Sequence, residues 1–201
     1  MIDALRRRWE VLAPGHGELG AELLARWGEP HRSYHGPLHL AETLAALDRL
    51  GPAGAAESFA LWFHDAVHTG APGSDERASA ELAGHRLAAH GFDHHFTAEV
   101  VRLVLVTIEH RPAPGDLPGA RVSDADLAVL AAHPDRYRPS VAELRAESPG
   151  LDETAWLRAR RQRVHELLSS DPLFHSPAGQ TLWLEPALAN LTAELAQLRA
   201  R

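Results

Sequence analysis

The sequence predicts an all-α fold. Apolar residues recur at three- and four-residue steps almost throughout, breakers cut the chain into pieces of helical length, and no two strand-like runs could pair. The first two helices, over 2–12 and 17–27, are separated by Pro14-Gly15, and Gly28 to Pro30 ends the second. The third, 37–50, carries the steps Leu38, Ala41, Leu44, Ala45, Leu47 and Leu50, with Pro37 in its first turn, where a missing N–H costs nothing. Gly51 to Gly54 separates it from a fourth over 54–67, and Gly70 to Gly73 divides that from a fifth over 75–90, which stops before Gly91. The sixth, 94–109, holds Val100, Val101, Val104, Leu105 and Ile108, β-branched enough for a strand, but a lone strand has no partner. A Pro/Gly-rich stretch, 111–119, then crosses to the next helix. Short helices over 124–132 and 139–147 follow, with Pro134 and Pro149-Gly150 as their bounds. The ninth, 152–169, sets Arg158, Arg160, Arg161 and Arg163 against Leu157, Val164, Leu167 and Leu168, which reads as a basic face in water or as a phosphate-facing edge. After Pro172 and Pro177, the last helix covers 186–200.

A chain of 201 residues with 45% hydrophobic content supports one domain over 1–201 with a sizeable core. Its net charge is -7, and all 20 cationic residues are arginines scattered along the chain, so no nucleic-acid surface is advertised and a small-molecule partner is expected. The absence of cysteine excludes disulfides, thiolate metal sites and cysteine nucleophiles. No apolar stretch approaches the roughly 20 residues that span a bilayer, and Met1 to Arg8 lack the ordered regions of a signal peptide, so a cytoplasmic protein with no membrane partner is expected. An all-helical chain of this size could form a homodimer, although no heptad or apolar stripe announces one. Fourteen histidines are more than double ordinary usage, but the chain lacks lysine altogether, so compositional bias is one source to set against a functional one. Spacing has to decide which histidines matter.

His64-Asp65 lies in the apolar run Ser58 to His68, where a buried carboxylate without a partner would be costly. A neutral imidazole and a carboxylate together suit Zn, Mn, Fe or Co, with Mg accepted through water. Adjacent side chains on a regular helix point about 100° apart, yet both could still reach one cation. His68 is one turn beyond His64 and could hold a bound water or a substrate phosphate. Upstream, His35 and His39 are four apart, with His39 on a helix and His35 at its mouth. Downstream, Asp124 and Asp126 open a helix, where one could cap and the other ligate; Asp126 is the favoured ligand and Asp124 the cap. His110 closes its helix, either as a ligand to a second cation or as the ordinary partner of the helix dipole. Glu76 starts a helix and is either a first-turn acid or a site residue. Arg32 is either a phosphate clamp or a solvated arginine.

Taken together, Tyr34-His35-Gly36-Pro37-Leu38-His39, then Phe63-His64-Asp65-Ala66-Val67-His68, then Asp124-Ala125-Asp126-Leu127 resembles the HD superfamily of metal-dependent phosphohydrolases, whose hallmark order is His, His-Asp, Asp. More narrowly it is similar to small bacterial proteins of that superfamily described as predicted phosphohydrolases. Asp75-Glu76, Ser79-Ala80, Tyr137, Arg145-Ala146-Glu147, Phe174, Ala189-Asn190-Leu191 and Glu194-Leu195 add to the likeness, which spans nearly the whole chain. The resemblance implies an HD-domain-like helical bundle. It also implies His39, His64, Asp65 and Asp126 as metal ligands, with Asp65 bridging to any second ion. His35 would be the general acid, and His68 would steady the attacking water or a second metal. The first two motifs also resemble cyclic-nucleotide phosphodiesterases, but Thr69-Gly70-Ala71-Pro72 departs from their signature and that catalytic domain is far larger, so a cyclic nucleotide is not implied.

The expected reaction is hydrolysis of a small phosphoester, with a nucleotide among the candidates, by one divalent ion or two and a water whose pKa falls towards about 7. His35 would protonate the departing oxygen. Two other classes carry the same hallmark. Diiron oxygenases of the superfamily need extra histidines, for which His85 and His110 have suitable spacing, and a binding module would hold metal or nucleotide without turnover.

Overall fold

Four of the prolines that punctuate the sequence begin helices. Pro37, Pro118, Pro134 and Pro177 each occupy a first turn, where the ring presets φ and no hydrogen bond is lost. The computed structural model describes residues 1–200, and among them only helices and turns occur. The order is α1 (Ile2–Leu12), α2 (Gly17–Trp27), α3 (Pro37–Arg49), α4 (Ala55–Phe63), α5 (Ser74–Ala89), α6 (His94–Val106), α7 (Leu117–Leu127), a 3-10 turn (Ala128–Ala131), α8 (Pro134–Ala146), α9 (Glu153–Leu168) and α10 (Pro177–Arg199).

The all-α expectation holds, but three helix starts and three helix ends differ from it; α6 stops at Val106 instead of 109, and α7 passes at Leu127 into the 3-10 turn instead of running to 132. α7 begins at 117 rather than 124, because the Asp116 carboxylate caps the Gly119 N–H and makes the Pro/Gly stretch a helix start. α8 begins at Pro134, not at 139. α10 begins at Pro177, where Ser176 caps the Gly179 N–H, and it runs through Pro186, which sits on the exposed side where water can take the freed carbonyl. The fourth helix stops at Phe63 instead of 67, four residues that matter for the site.

α3, α4, α6 and α7 pack together, with α5 laid on α6, α1 on α2, and α10 on α9 and the 3-10 turn. Aromatics fill the core between α1, α2 and α4. Trp9 packs on Phe59 and Trp62 at ring separations of 5.3 and 5.0 Å, and the buried Trp27 indole donates to the Trp62 carbonyl at 2.9 Å. Each such fully buried large side chain stabilises the fold by roughly 1.5–3 kcal/mol. α9 does not hold all its arginines in water: Arg160 is buried and makes a two-pronged ion pair to Glu194 of α10 at 2.7 and 3.0 Å, which also accepts from the Tyr137 hydroxyl of α8. That network fastens three helices where an open basic face was expected. No described helix is long and apolar enough to cross a membrane.

Candidate metal centre

The apolar run of α4 ends at Phe63, and the chain then turns. His64 caps the helix, its N–H still bonded to Ala60, and Asp65 lies in the following turn. Despite the 100° divergence expected of neighbours on a regular helix, His64 Nε2 and Asp65 Oδ2 come within 3.0 Å. His39 reaches the same point from the first turns of α3, and Asp126 from the last turn of α7; Asp126 thus closes its helix rather than opening it. His39 Nε2 is 3.0 Å from Asp126 Oδ1 and 3.5 Å from Asp65 Oδ2, His64 Nε2 is 3.4 Å from Asp126 Oδ1, and the two imidazole nitrogens are 3.3 Å apart. His39, His64 and Asp126 thus form one compact donor group from three separated stretches of chain, and Asp65 Oδ2 stands against its two imidazoles. Both imidazoles are buried, with the Trp27 ring behind them at 5.3 Å from His64 and 6.1 Å from His39.

This donor set fits a divalent cation. An ion about 2.1 Å from each atom would set neighbouring donors about 3.4 Å apart in a tetrahedron and about 3.0 Å apart in an octahedron, and the separations above span that range. Hydrogen bonding alone serves the cluster poorly. His64 Nδ1 donates to the Leu61 carbonyl at 2.7 Å, so neutral His64 turns a bare Nε2 lone pair towards two carboxylates and a second imidazole. Buried His39 Nδ1 has no partner at all. Without a cation, protons must take its place. Burial opposes the charged imidazoles, yet Asp126 and Asp65 outweigh it and push His39 and His64 up, and burial of Asp65 and Asp126 is likewise outweighed by His64 and His39, which hold both carboxyls down.

Beside this cluster stands a second group, His35, His68 and Glu147. His35 precedes α3, and its Nδ1 is 2.6 Å from Glu147 Oε2, which lies 3.5 Å from His68 Nε2. The other oxygen, Oε1, accepts the backbone N–H groups of Ser33, Tyr34 and His35 at 2.7, 2.8 and 2.9 Å. Glu147 is the C-cap of α8 and its side chain is only 5% exposed. Burial would raise its carboxyl, but the bonds from His35 and His68 hold it well below the usual carboxylate range. The His68 ring is also pushed up, because its bond to Glu147 outweighs burial. Arg32 is neither a phosphate clamp nor solvated. Its guanidinium is fully buried and donates to the carbonyls of Asp65, His35 and Ala66 at 2.6, 3.1 and 3.2 Å, so one side chain ties the His35 loop to the His64-Asp65 turn.

Asp124 is buried on the opposite side of α7 and accepts the N–H groups of His175 and Ser176, both at 2.7 Å, which fixes the start of α10. It acts as a cap, for α10 and not for its own helix. His110 lies past the end of α6 in the left-handed region, φ 52, with Nε2 3.6 Å from Asp126 Oδ2. It thus faces the Asp126 oxygen that the main cluster leaves free. Burial pushes His110 down to about 4, with Arg163 and His64 adding to the effect and Asp126 opposing it. Glu76 lies on the rim and accepts the Gly73 N–H at 2.5 Å as the third residue of α5. His85 is exposed on α5 and lines none of the cavities at the cluster.

A cleft of about 950 Å³ opens onto both groups. His35, Asp65, His68, His110, Asp126 and Glu147 are among its polar lining, and Trp156, Ala159 and Arg163 of α9 line it as well. The sequence marks Glu147 only as part of the Arg145-Ala146-Glu147 match and Trp156 not at all, because their partners lie far off along the chain. No family model, curated protein or solved structure matches this chain.

Proposed function

We propose that this protein is a metal-dependent phosphohydrolase of the HD type that acts on a small phosphoester. The observation that carries the reading is the convergence of His39, His64 and Asp126 on one another, with Asp65 at 3.0 and 3.5 Å from the two imidazoles, beside a cleft that His35 also lines. The hallmark order His, His-Asp, Asp supports it from the sequence side. These four side chains would hold the ion, which, when bound, neutralises phosphoryl charge and lowers the pKa of a coordinated water.

The remaining chemistry belongs to the chain. Glu147 fixes His35 through Nδ1 and leaves Nε2 as the ring nitrogen free to deliver a proton to the departing oxygen. His68, on the same carboxylate, stands where it can orient a water or a phosphoryl oxygen. His110 offers a neutral imidazole on the far oxygen of Asp126, the position from which it would join a second ion. The oxygenase reading loses His85, which is exposed and away from the cleft.

The experiment is elemental analysis of protein purified without chelator, followed by a screen of phosphorylated metabolites with that metal restored. One equivalent or more of a divalent metal is expected, with phosphate release abolished by EDTA and recovered with Mn²⁺ or the native ion. Asp65→Ala should lose the metal and more than about 100-fold of turnover. Metal content and turnover that both survive this substitution would refute the reading. Turnover that requires O₂ and iron would replace it with the oxygenase.

A further inference from the structure

α9 presents Trp156, Ala159, Arg160 and Arg163 to the cleft, the spacing of one helix face over two turns. Their chemistry is not uniform. Arg160 is occupied by Glu194, whereas Arg163 is half-exposed and has no carboxylate nearer than Glu166 at 3.8 Å, so its donors are free. Arg163 also lines a second cavity that meets the first at His110 and Glu166, so it stands on the metal-cluster side of the cleft. Trp156 stands about 10 Å further along the helix axis, seven residues at 1.5 Å each. Arg145 lies over its ring, 5.7 Å from the centroid, and supports one side while the ring also borders the cleft. Between the two, Ala159 leaves room that a larger side chain would fill.

A free guanidinium near the ligand cluster suits the non-bridging oxygens of a phosphate. A supported indole two turns away suits a flat, aromatic group. Inorganic phosphate or a small sugar phosphate would satisfy the first and leave the second uncovered. A nucleoside monophosphate joins an anion to a planar base across a span of this kind. Resting on the phosphohydrolase reading above, we infer that the cleft takes a nucleoside monophosphate, with Arg163 on the phosphate and Trp156 stacked on the base. Discrimination for the base then resides in α9, not in the metal ligands.

Equilibrium dialysis of AMP, ribose 5-phosphate and inorganic phosphate against the full chain, with Mn²⁺ and with EDTA, tests this. AMP should bind roughly 5- to 100-fold tighter than ribose 5-phosphate, the range expected for stacking one base. Trp156→Ala should erase that preference and leave ribose 5-phosphate binding unchanged, while Trp156→Phe should keep most of it. Arg163→Gln should weaken AMP and ribose 5-phosphate alike, by about tenfold. Melting curves of each variant establish that it is folded. Equal binding of AMP and ribose 5-phosphate to the wild type in both conditions, or a preference that survives Trp156→Ala in folded protein, would overturn the inference. The two readings fail separately: AMP bound with this ranking but recovered intact refutes hydrolysis alone, and metal-dependent cleavage with no base preference refutes the α9 assignment alone.

Discussion

Replacing Glu147 with glutamine separates proton delivery from metal chemistry. The amide oxygen of Glu147→Gln can still accept the three N–H groups of residues 33–35, so the loop keeps its partners and loses only the charge on them. Bonds to a charged group contribute about 1.5–3 kcal/mol and neutral ones about 0.5–1.5, so three bonds weakened together, after allowing for shared charge, should cost about 2 kcal/mol. For a chain of this size that lowers Tm by roughly 4–8 °C. The catalytic effect is more specific. An amide N–H in place of Oε2 cannot accept from His35 Nδ1, so the ring either turns away or becomes the neutral Nε2–H form, a far weaker acid than the imidazolium that the carboxylate supports. General acids typically supply 10²–10⁴ in rate, so turnover of an alkyl or ribosyl phosphate should fall by about 100-fold or more. p-Nitrophenyl phosphate, whose leaving group departs without a proton, should lose less than about tenfold. The assay is kcat on both substrates with metal content measured in parallel. Equal losses on the two substrates, or a loss of metal that accounts for both, would show that Glu147 acts through the fold or the ion and not through His35.

Three further outcomes follow from the same geometry. Arg32→Lys, whose point charge cannot serve three carbonyls at once, should reduce metal affinity about 10- to 100-fold without touching the ion, as titration with a competing chelator will measure. Gly179→Ala would set a Cβ 2.3 Å from Asp124 Oδ2 and break the anchor on His175 and Ser176; a cost of roughly 2–4 kcal/mol should lower Tm by roughly 5–15 °C in thermal melts, and an unchanged Tm would refute the close approach. His39 and His64 have folded values above the ordinary histidine range, so in EDTA their contribution is fully present below about pH 6.5 and is lost as pH rises through the folded values, whereas Asp65 and Asp126, held down, contribute above about pH 4 and lose it on acidification. Metal competes with the two imidazole protons, so the Tm gain on adding Mn²⁺ should widen from pH 6 to pH 8, and a gain independent of pH would count against these ligands.

His64 and Asp65 stood out in the sequence because an imidazole and a carboxylate in an apolar run need a partner, whereas His39 and Asp126 were singled out by the His, His-Asp, Asp order of the resemblance. What spacing could not convey was the means of convergence. α4 ends one residue before His64, and nothing in Ser58 to His68 marks that stop, since the periodicity continues and the next breaker is Gly70. Pro118, Pro134 and Pro177 were read as interruptions because proline interrupts a helix interior, whereas here each stands in a first turn with Asp116, His133 or Ser176 before it as cap. The positions of Arg32, weighed as a phosphate clamp or a solvated arginine, and of Glu147, noted only as part of the family likeness, were not legible for a different reason. Each looks like an ordinary surface charge, and the groups it bonds are backbone amides and carbonyls, which carry no signature in a sequence.

The same fact explains why the site holds its shape. His35, His64, Asp65 and His110 all lie in turns or at helix ends, where the helix ladder does not fix the backbone. Long-range side chains take over that task. Arg32 binds the carbonyls of residues 35, 65 and 66; Glu147 binds the amides of 33–35; Asp75 binds the amides of Thr69 and Ala71; Ser79 binds that of Val67. Every turn from 64 to 71 is thereby pinned from another element, and so is the loop before α3. Two of those pins, Arg32 and Glu147, join the His35 loop to its surroundings, Arg32 to the His64-Asp65 turn and Glu147 to the end of α8. The His39/His64/Asp65/Asp126 cluster and His35 therefore form one assembled unit, so a change that loosens either pin should move His35 relative to Asp65 before it unfolds any helix. Loss of leaving-group discrimination ahead of loss of helical content is the order of events this arrangement dictates on mild denaturation, and circular dichroism read beside kcat on the two substrates will establish whether it occurs.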